Sequence, residues 1–333
     1  MSRPIRVFIN GFGRIGRSLF RQILTTPAGA GIEIAGVNDI APLETCAYLL
    51  RYDSVYGPFP QPVEAGPGWI QTGETRLPFH NEPELRKLDL AEVDVVLECT
   101  GRAKDRDTAQ AGLRAGATQV LISGPSPAAD CTTVLGANED EPGEARIVSN
   151  ASCTTNAIAP MLRALDQAFG ITRANVTTVH CYTGSQPTVD QPGANLERSR
   201  AAGVSMVPTT SSAMDQVTGV LPHFRDRLSV AAVRVPTISV SALDAVLQLD
   251  RPPEGDANIA LTEALADRRL FGMTNDPCVS TDFRGRTESL VLALPETQVI
   301  AGGQLRLLGW YDNEWGFSAR MLDMARRMAA REM

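Results

Sequence analysis

The sequence predicts an α/β chain in two parts, a doubly wound parallel sheet followed by an α+β portion with a mostly antiparallel sheet. Three observations carry this. Short, nearly all-apolar strand candidates alternate with helical stretches up to Asn150, the pattern of βαβ units covered on both faces. A glycine-rich turn, Gly11-Phe12-Gly13-Arg14-Ile15-Gly16, joins the first strand to the first helix. Beyond Asn150 the β-rich segments lengthen and few helices separate them, which favours antiparallel pairing. A chain of 333 residues is also long for one core. The expected organisation is one domain over residues 1–151 and a second over 152–316, followed by a terminal helix over 317–333.

The elements follow in order. Residues 5–10 read as a buried parallel strand, because they are β-rich and almost wholly apolar. A helix is expected over 17–24, stopped by Thr25-Thr26-Pro27, and a second strand over 32–37, ending in Asn38-Asp39. Residues 58–80 break the rhythm and read as a less regular insertion able to hold a hairpin. Strands at 93–97, 120–123 and 147–149 resume the sheet, with a helix at 106–115. In the second part a helix over 154–169 is closed by Gly170, a residue suited to a C-terminal cap. Strands are expected at 175–183, 228–235, 239–249, 289–294 and 304–311. In the terminal helix Met321, Met324 and Met328 recur at helical spacing, as core packing requires.

Composition narrows the function. Hydrophobic residues at 43% and charged residues at 21% describe an ordinary soluble globular protein. A formal charge of -7 argues against nucleic acid or an acidic membrane as main partner, since both attract basic surfaces. No run approaches the roughly 18 apolar residues of a membrane span. Arg3 leads straight into a strand, without the apolar stretch of a signal peptide. Six cysteines, Cys46, Cys99, Cys131, Cys153, Cys181 and Cys278, show neither C-x-x-C nor zinc spacing. Reduced thiols, a cytoplasmic setting and no metal site are therefore expected.

The glycine turn has a division of labour. Gly11 permits the tight turn, Gly13 lets the backbone approach a pyrophosphate, and Gly16 lets helix and strand pack closely, as in a Rossmann-type site. Glycine spacing alone also fits a plain structural turn. The context favours a dinucleotide: a strand precedes it, a helix follows, and Asp39 ends the next strand. An acid there binds both ribose hydroxyls and repels a 2′-phosphate, which selects NAD over NADP.

A second motif, Ser149-Asn150-Ala151-Ser152-Cys153-Thr154-Thr155-Asn156, leaves a strand and enters a helix. A cysteine at a helix N-terminus has its thiolate stabilised by free N–H groups and the dipole. The competing reading is a buried cysteine with Ser and Thr as helix caps. The dense polar flank favours a nucleophile, which needs a base. Of the three histidines, His80 lies in the insertion and His223 in a loop-like stretch. His180 ends the strand Thr177-Thr178-Val179 and is the candidate base, although a satisfied core histidine explains it equally well. Downstream, Thr183, Arg198, Arg200, Ser211, Ser212 and Arg234 collect as anion-binding candidates. Arg234 interrupts an apolar strand, so it needs a phosphate or an internal carboxylate, and spacing does not choose between them.

With these motifs in order, the chain resembles the phosphorylating glyceraldehyde-3-phosphate dehydrogenase family along essentially its whole length. The segments that carry the resemblance are INGFGRIGR from Ile9, VND from Val37, RYDS from Arg51, ECTG from Glu98, SNASCTTN from Ser149, TTVH from Thr177, RVPT from Arg234 and WYDNEWGFS from Trp310. The resemblance implies that Cys153 is the nucleophile and His180 its base. Gly11, Gly13, Arg14, Ile15 and Gly16 would meet the dinucleotide's pyrophosphate, Asn38 and Asp39 the adenosine side, Thr100 and Ser123 the nicotinamide ribose region, and Asn313 the carboxamide. Thr183 and Arg234 would hold the substrate's phosphate; Ser152, Thr154, Arg198, Ser211 and Ser212 would hold inorganic phosphate. It further implies a small phosphorylated aldehyde as substrate, NAD as cofactor, a thioester intermediate, a C-terminal helix, 317–333, that packs back on the cofactor domain, and a homotetramer.

The chain departs from the family's commonest pattern at Phe317, at Ser211-Ser212, at Ser123-Gly124-Pro125-Ser126 and over residues 184–191. HFRDRLSVAAVRVPT and DNEWGF resemble the related erythrose-4-phosphate dehydrogenases, whereas Tyr182-Thr183 and Pro208-Thr209-Thr210 resemble the glyceraldehyde-3-phosphate enzymes. Phosphorylating oxidation of glyceraldehyde 3-phosphate is the leading expectation. Erythrose-4-phosphate oxidation and a catalytically silent NAD-binding scaffold are the alternatives.

Overall fold

The computed structural model describes residues 3–139, 143–209 and 212–330. The chain divides into two compact units. The first comprises Met1–Thr133, Glu139–Ser152 and Ser318–Met333; the second comprises Val134–Asn138 and Cys153–Phe317.

The first unit opens with β1 (Ile5–Asn10), α1 (Arg14–Thr25), β2 (Ile32–Asn38) and α2 (Leu43–Arg51). Val7 and Ile9 in β1 and Val37 in β2 are fully buried, as a sheet covered on both faces demands. The insertion is more regular than its sequence indicates. It folds as β3 (Val63–Gly66), β4 (Trp69–Thr72) and β5 (Thr75–His80), an antiparallel meander whose last strand lies parallel to β2. Then come β6 (Val95–Glu98), α3 (Arg106–Ala109), α4 (Ala111–Arg114), β7 (Gln119–Ile122), β8 (Cys131–Thr132) and β9 (Ile147–Ser149). The single helix expected over 106–115 is two short helices, because Gln110 leaves helical geometry at φ -91°, ψ 3°.

Among the described residues this unit holds a nine-stranded sheet, in the order β3-β4-β5-β2-β1-β6-β7-β9-β8. The strands β5 to β8 are mutually parallel. The chain visits β2 on one side of β1 and later returns to β6 on the other. The gap between β1 and β6 is therefore the topological switch point, where doubly wound sheets bind ligands at their carboxyl ends.

The second unit begins with α5 (Cys153–Phe169) and β10 (Ile171–Cys181). It continues through β11 (Val207–Thr209), α6 (Ala213–Val220), β12 (Leu228–Val235), β13 (Ser241–Leu249), α7 (Ala257–Ala264), β14 (Phe271–Thr274), β15 (Leu290–Ala293), β16 (Gln298–Ile300) and β17 (Gln304–Tyr311). Its sheet runs β11-β12-β10-β13-β17-β15-β14, with β16 beside β17. Pairing is antiparallel except at β10–β12 and β14–β15. Strand β10 starts four residues before its expected position and ends two before it, since pairing with β13 extends back to Ile171. Burial alternates along β17, with Leu305, Leu307 and Tyr311 facing inward.

The last helix, α8, spans Trp315–Ala329. Its Met321, Met324 and Met328 are fully buried. Within the first unit, the Arg326 guanidinium donates to the Ala28 carbonyl and, at 3.1 Å, to that of Ala30.

Candidate active site

In the first unit, the turn after β1 shows why three glycines stand there. Gly11 has φ +95°, and a Cβ on it would lie 2.7 Å from the Cys99 carbonyl carbon. A Cβ on Gly16 would lie 2.0 Å from the Gly11 carbonyl oxygen, so the start of α1 can press on β1 only without a side chain. Gly13 differs: a Cβ there meets nothing within 4 Å, so its backbone faces open space. Helix α1 has no side-chain N-cap and no acid in its first turn, which leaves its positive end for an anion.

A cavity of about 390 Å³ opens at the switch point, lined among others by Gly11, Gly13, Asn38, Asp39, Glu98 and Thr100. Asp39 is fixed at its rim, accepting from the Phe12 amide at 2.5 Å and the Ala41 amide at 2.8 Å. Asn38 is an internal clamp: its side chain donates to Asn10 Oδ1 (2.8 Å) and the Glu82 carbonyl (3.0 Å) and accepts from the Glu82 amide. The Arg14 guanidinium turns away to the buried carboxylate of Asp53 at 2.5 Å. Arg14 and Ile15 are the first two residues of α1. Ser123 follows β7, its amide donating to the Glu98 carbonyl.

Glu98 and Asn10 are the organising residues that motif reading passed over. Glu98 is 3% exposed, and burial pushes its carboxyl up, opposed by hydrogen bonds from Thr100 and Asn10. It accepts from the Thr100 amide and hydroxyl and from Asn10 Nδ2. The available signal was an acid ending an otherwise apolar strand.

In the second unit, Cys153 is the first residue of α5 and His180 lies near the end of β10. Although 27 residues apart, Cys153 Sγ and His180 Nε2 are 3.6 Å from each other. His180 Nδ1 lies 2.6 Å from the Cys181 carbonyl oxygen, an acceptor only. Nδ1 therefore carries the proton, and a neutral ring presents the Nε2 lone pair to the sulfur.

Burial pushes the Cys153 thiol up to about 11, against the Thr154 hydroxyl and the Thr154 and Cys153 amides, which favour the thiolate. Burial also holds the His180 imidazole below its ordinary value; the Cys181 carbonyl opposes this, and the charges of Arg234 and Arg198 add to it. Both shifts act in the same sense, favouring the uncharged forms of thiol and imidazole.

Tyr311 ties these elements together. Its buried hydroxyl lies 3.0 Å from Thr154 Oγ1 and 2.6 Å from Thr178 Oγ1, and its ring meets that of His180 edge-on at 6.1 Å. The register explains its position, for Tyr311 on β17 pairs with Ser241 on β13, next to β10. The Thr154 hydroxyl consequently faces both Tyr311 and the sulfur. Asn313, 6% exposed, accepts from Cys181 Sγ at 3.1 Å.

Arg234 on β12 is in direct register with His180 on β10. Its guanidinium donates to Thr183 Oγ1 at 3.0 Å and Ser185 Oγ at 3.1 Å, and the two hydroxyls are 3.1 Å apart. No carboxylate pairs with Arg234 among the described residues, which decides against the internal ion pair left open by the sequence. Arg198 Nε donates to Thr209 Oγ1 at 2.6 Å, and its charge acts on both His180 and Arg234. Arg200 is occupied by Asp190 at 2.9 Å. Ser212 precedes α6, with Gln216 Nε2 donating to its hydroxyl at 2.7 Å. Ser152 immediately precedes α5 at intermediate exposure. Ser211 lies outside the described residues. Sequence reasoning missed Ser185, Tyr311 and Cys181, although Cys181 adjoins His180 and Tyr311 lies in the WYDNEWGFS segment.

Comparisons with known proteins agree with this arrangement. Residues 5–106 match the family model described as glyceraldehyde 3-phosphate dehydrogenase, NAD binding domain, and residues 152–313 match the model of its C-terminal domain. The chain is 42% identical over 325 residues to a glyceraldehyde-3-phosphate dehydrogenase of Cereibacter sphaeroides, covering 96% of this chain and 97% of the relative. It is 42% identical over 328 residues to that of Xanthobacter flavus, covering 96% and 97%. With that of Geobacillus stearothermophilus it shares 40% over 334 residues, covering 98% and 99%. The chain belongs to the glyceraldehyde 3-phosphate dehydrogenase family and is an NAD-dependent oxidoreductase.

Proposed function

We propose that the protein oxidises glyceraldehyde 3-phosphate with NAD and inorganic phosphate to 1,3-bisphosphoglycerate, reversibly, through a thioester on Cys153. The observation that carries this reading is the 3.6 Å contact between the sulfur and an imidazole whose tautomer leaves Nε2 as acceptor. A nucleophile, its base and an oriented base partner in one chain of contacts are what acyl-transfer chemistry needs.

The residues divide the work as follows. Gly11, Gly13, Gly16 and the Arg14-Ile15 turn receive the pyrophosphate, Asn38 and Asp39 shape the adenosine end, Thr100 and Ser123 flank the nicotinamide ribose, and Asn313 donates to the carboxamide. Arg234 and Thr183 bind the aldehyde's phosphate. Arg198, Ser152, Thr154, Ser211 and Ser212 form the place for inorganic phosphate.

His180 Nε2 takes the Cys153 proton as sulfur attacks the aldehyde carbon, then returns it to the new alkoxide, giving a hemithioacetal. Amides at the head of α5 stabilise the oxygen's charge during attack. NAD supplies the hydride acceptor. When hydride leaves, His180 takes the hydroxyl proton, and a carbonyl re-forms as the thioester. Hydrogen phosphate, held by Arg198, adds to that carbonyl and loses its proton to solvent. The C–S bond breaks, and the departing sulfur takes the proton held on His180. The base and the thiol are restored, with one proton released overall.

The six cysteines carry no disulfide among the described residues, which supports a reducing, cytoplasmic setting. Val189, Leu196, Val204 and Met206 are 72%, 83%, 83% and 75% exposed on one irregular segment, a surface that supports a homotetramer. Sedimentation at micromolar concentration checks it; a monomer there refutes it.

Initial rates of NADH formation with glyceraldehyde 3-phosphate and with erythrose 4-phosphate, each with and without phosphate, test the activity. A strictly phosphate-dependent rate that favours the three-carbon aldehyde is expected. A phosphate-independent rate favouring the four-carbon sugar would assign hydrolytic erythrose-4-phosphate oxidation in its place. Binding of NAD without turnover of either aldehyde would leave a scaffold.

A further inference from the structure

We propose that Cys181 is a positioning residue: its buried thiol sets the orientation of the Asn313 amide and thereby the way the nicotinamide sits at the site. The inference rests on the reading of Asn313 as the carboxamide's partner, and deepens it.

The side chain of an asparagine presents an acceptor and a donor on a group that can flip, so a site that needs the donor must hold the acceptor. Asn313 meets this requirement in one contact. Its Oδ1 accepts from Cys181 Sγ at 3.1 Å, and its Nδ2 has no partner among the described residues, although the residue is only 6% exposed. Nδ2 is also absent from the fully enclosed, unsatisfied polar atoms, so it opens onto accessible space. An oriented donor on a nearly buried residue, left for something outside the chain, is the signature of a ligand contact.

Cys181 is itself held. It is fully buried, its amide donates to Ser241 Oγ at 3.2 Å, and Ser241 pairs in register with Tyr311. Tyr311 in turn reaches Thr154, beside the nucleophile. The thiol thus links the framework around Cys153 and His180 to the amide, so that nicotinamide and sulfur are positioned by one set of contacts. Burial pushes the Cys181 thiol up to about 12, so it remains a protonated donor throughout the working range of pH. A flipped amide would offer Oδ1 in place of Nδ2. The carboxamide would then be held less firmly, and the ring could turn about its glycosidic bond to present the other face.

The test uses Cys181→Ala, Cys181→Val, which fills the space without a donor, and Cys181→Ser, which restores one. Affinities for NAD and for ADP-ribose, which lacks the nicotinamide, are measured by calorimetry on the full chain. In both donor-less variants NAD should weaken about 3–10-fold, the usual worth of one hydrogen bond, with ADP-ribose unchanged and Ser close to wild type. Unchanged NAD affinity, equal weakening of both ligands, or failure of Ser to recover would each overturn the proposal, and none depends on turnover. With aldehyde deuterated at the reacting carbon, wild type should label one face of nicotinamide C4, and Cys181→Ala both. Label confined to one face in Cys181→Ala would equally overturn it. Absence of turnover in wild type counts against the proposed activity alone, because the binding comparison still decides the role of Cys181.

Discussion

Replacing His180 with asparagine tests the central contact most directly. Burial pushes the Cys153 thiol up, which disfavours the thiolate unless its proton has somewhere to go. Sulfur therefore attacks more readily when a neighbouring base accepts its proton. The one base placed for that is Nε2 at 3.6 Å. Asparagine fills part of the space but cannot take a proton, so the whole contribution of the base is lost. General-base catalysis is worth about 10²–10⁴ in rate, or about 3–5 kcal/mol of barrier. The variant's kcat in the oxidative direction should fall by that factor, while NAD affinity and unfolding midpoint stay near wild type. Alkylation of Cys153 by iodoacetamide near neutral pH should slow as well. A kcat within tenfold of wild type, or an unchanged alkylation rate, would refute the pairing. The sign of the pH effect also follows. Turnover needs neutral His180, which exists above its pKa and is lost as pH falls through it. Burial, with Arg234 and Arg198 contributing, holds that pKa under the ordinary 6.5. The acid limb of kcat/KM should therefore lie below 6.5, and Arg198→Ala should move it upward.

Other substitutions separate the remaining parts of the site. Asp39→Ala removes the carboxylate at the cavity rim and should raise kcat/KM with NADP at least about tenfold relative to NAD, read from initial rates with each cofactor. Ser185→Asp sets a carboxylate beside Arg234, which is bound to two hydroxyls at 3.0 and 3.1 Å. It should raise KM for glyceraldehyde 3-phosphate about 10-fold or more and leave unphosphorylated glyceraldehyde unaffected. Gly16→Ala forces a Cβ to within 2.0 Å of the Gly11 oxygen and should cost about 3 kcal/mol or more, seen in thermal unfolding. Gly13→Ala, which meets nothing, should keep the unfolding midpoint and weaken NAD alone.

How far the molecule can be read from its sequence depends on the range of each interaction. The parallel strands were legible because burial on both faces leaves an apolar run, and the glycine turn was legible because backbone geometry admits no other residue at Gly11 or Gly16. Elements whose stability comes from partners were not. The meander of β3 to β5 and the short β11, β14 and β16 show no strong periodicity, and pairing with neighbours far along the chain sets them. Cys153 attracted attention through its local setting at a helix head. Tyr311, Ser185 and Cys181 enter the site through register: Ser241 opposite Tyr311, and Arg234 opposite His180. A tyrosine in a β-rich segment looks the same whether its hydroxyl meets water or two threonines.

The same argument accounts for two strained residues that no pattern announces. Ala151 and Val240 have φ of +54° and +64°, a region that disfavours side chains with a Cβ and costs about 1–3 kcal/mol each. Ala151 lies two positions before Cys153, and Val240 directly precedes Ser241, the residue that holds the Cys181 amide. Glycine at either position would relieve the strain but would also free the backbone that aims the neighbouring side chain. At Val240 it would remove a side chain packed with Phe283, Val291 and Trp310 as well. Strain beside the proposed nucleophile and beside the proposed support of Asn313 is thus tolerated where a loose backbone would blur the placement of sulfur and amide. The fold's stability is lowered at the two points where the proposed chemistry needs fixed geometry.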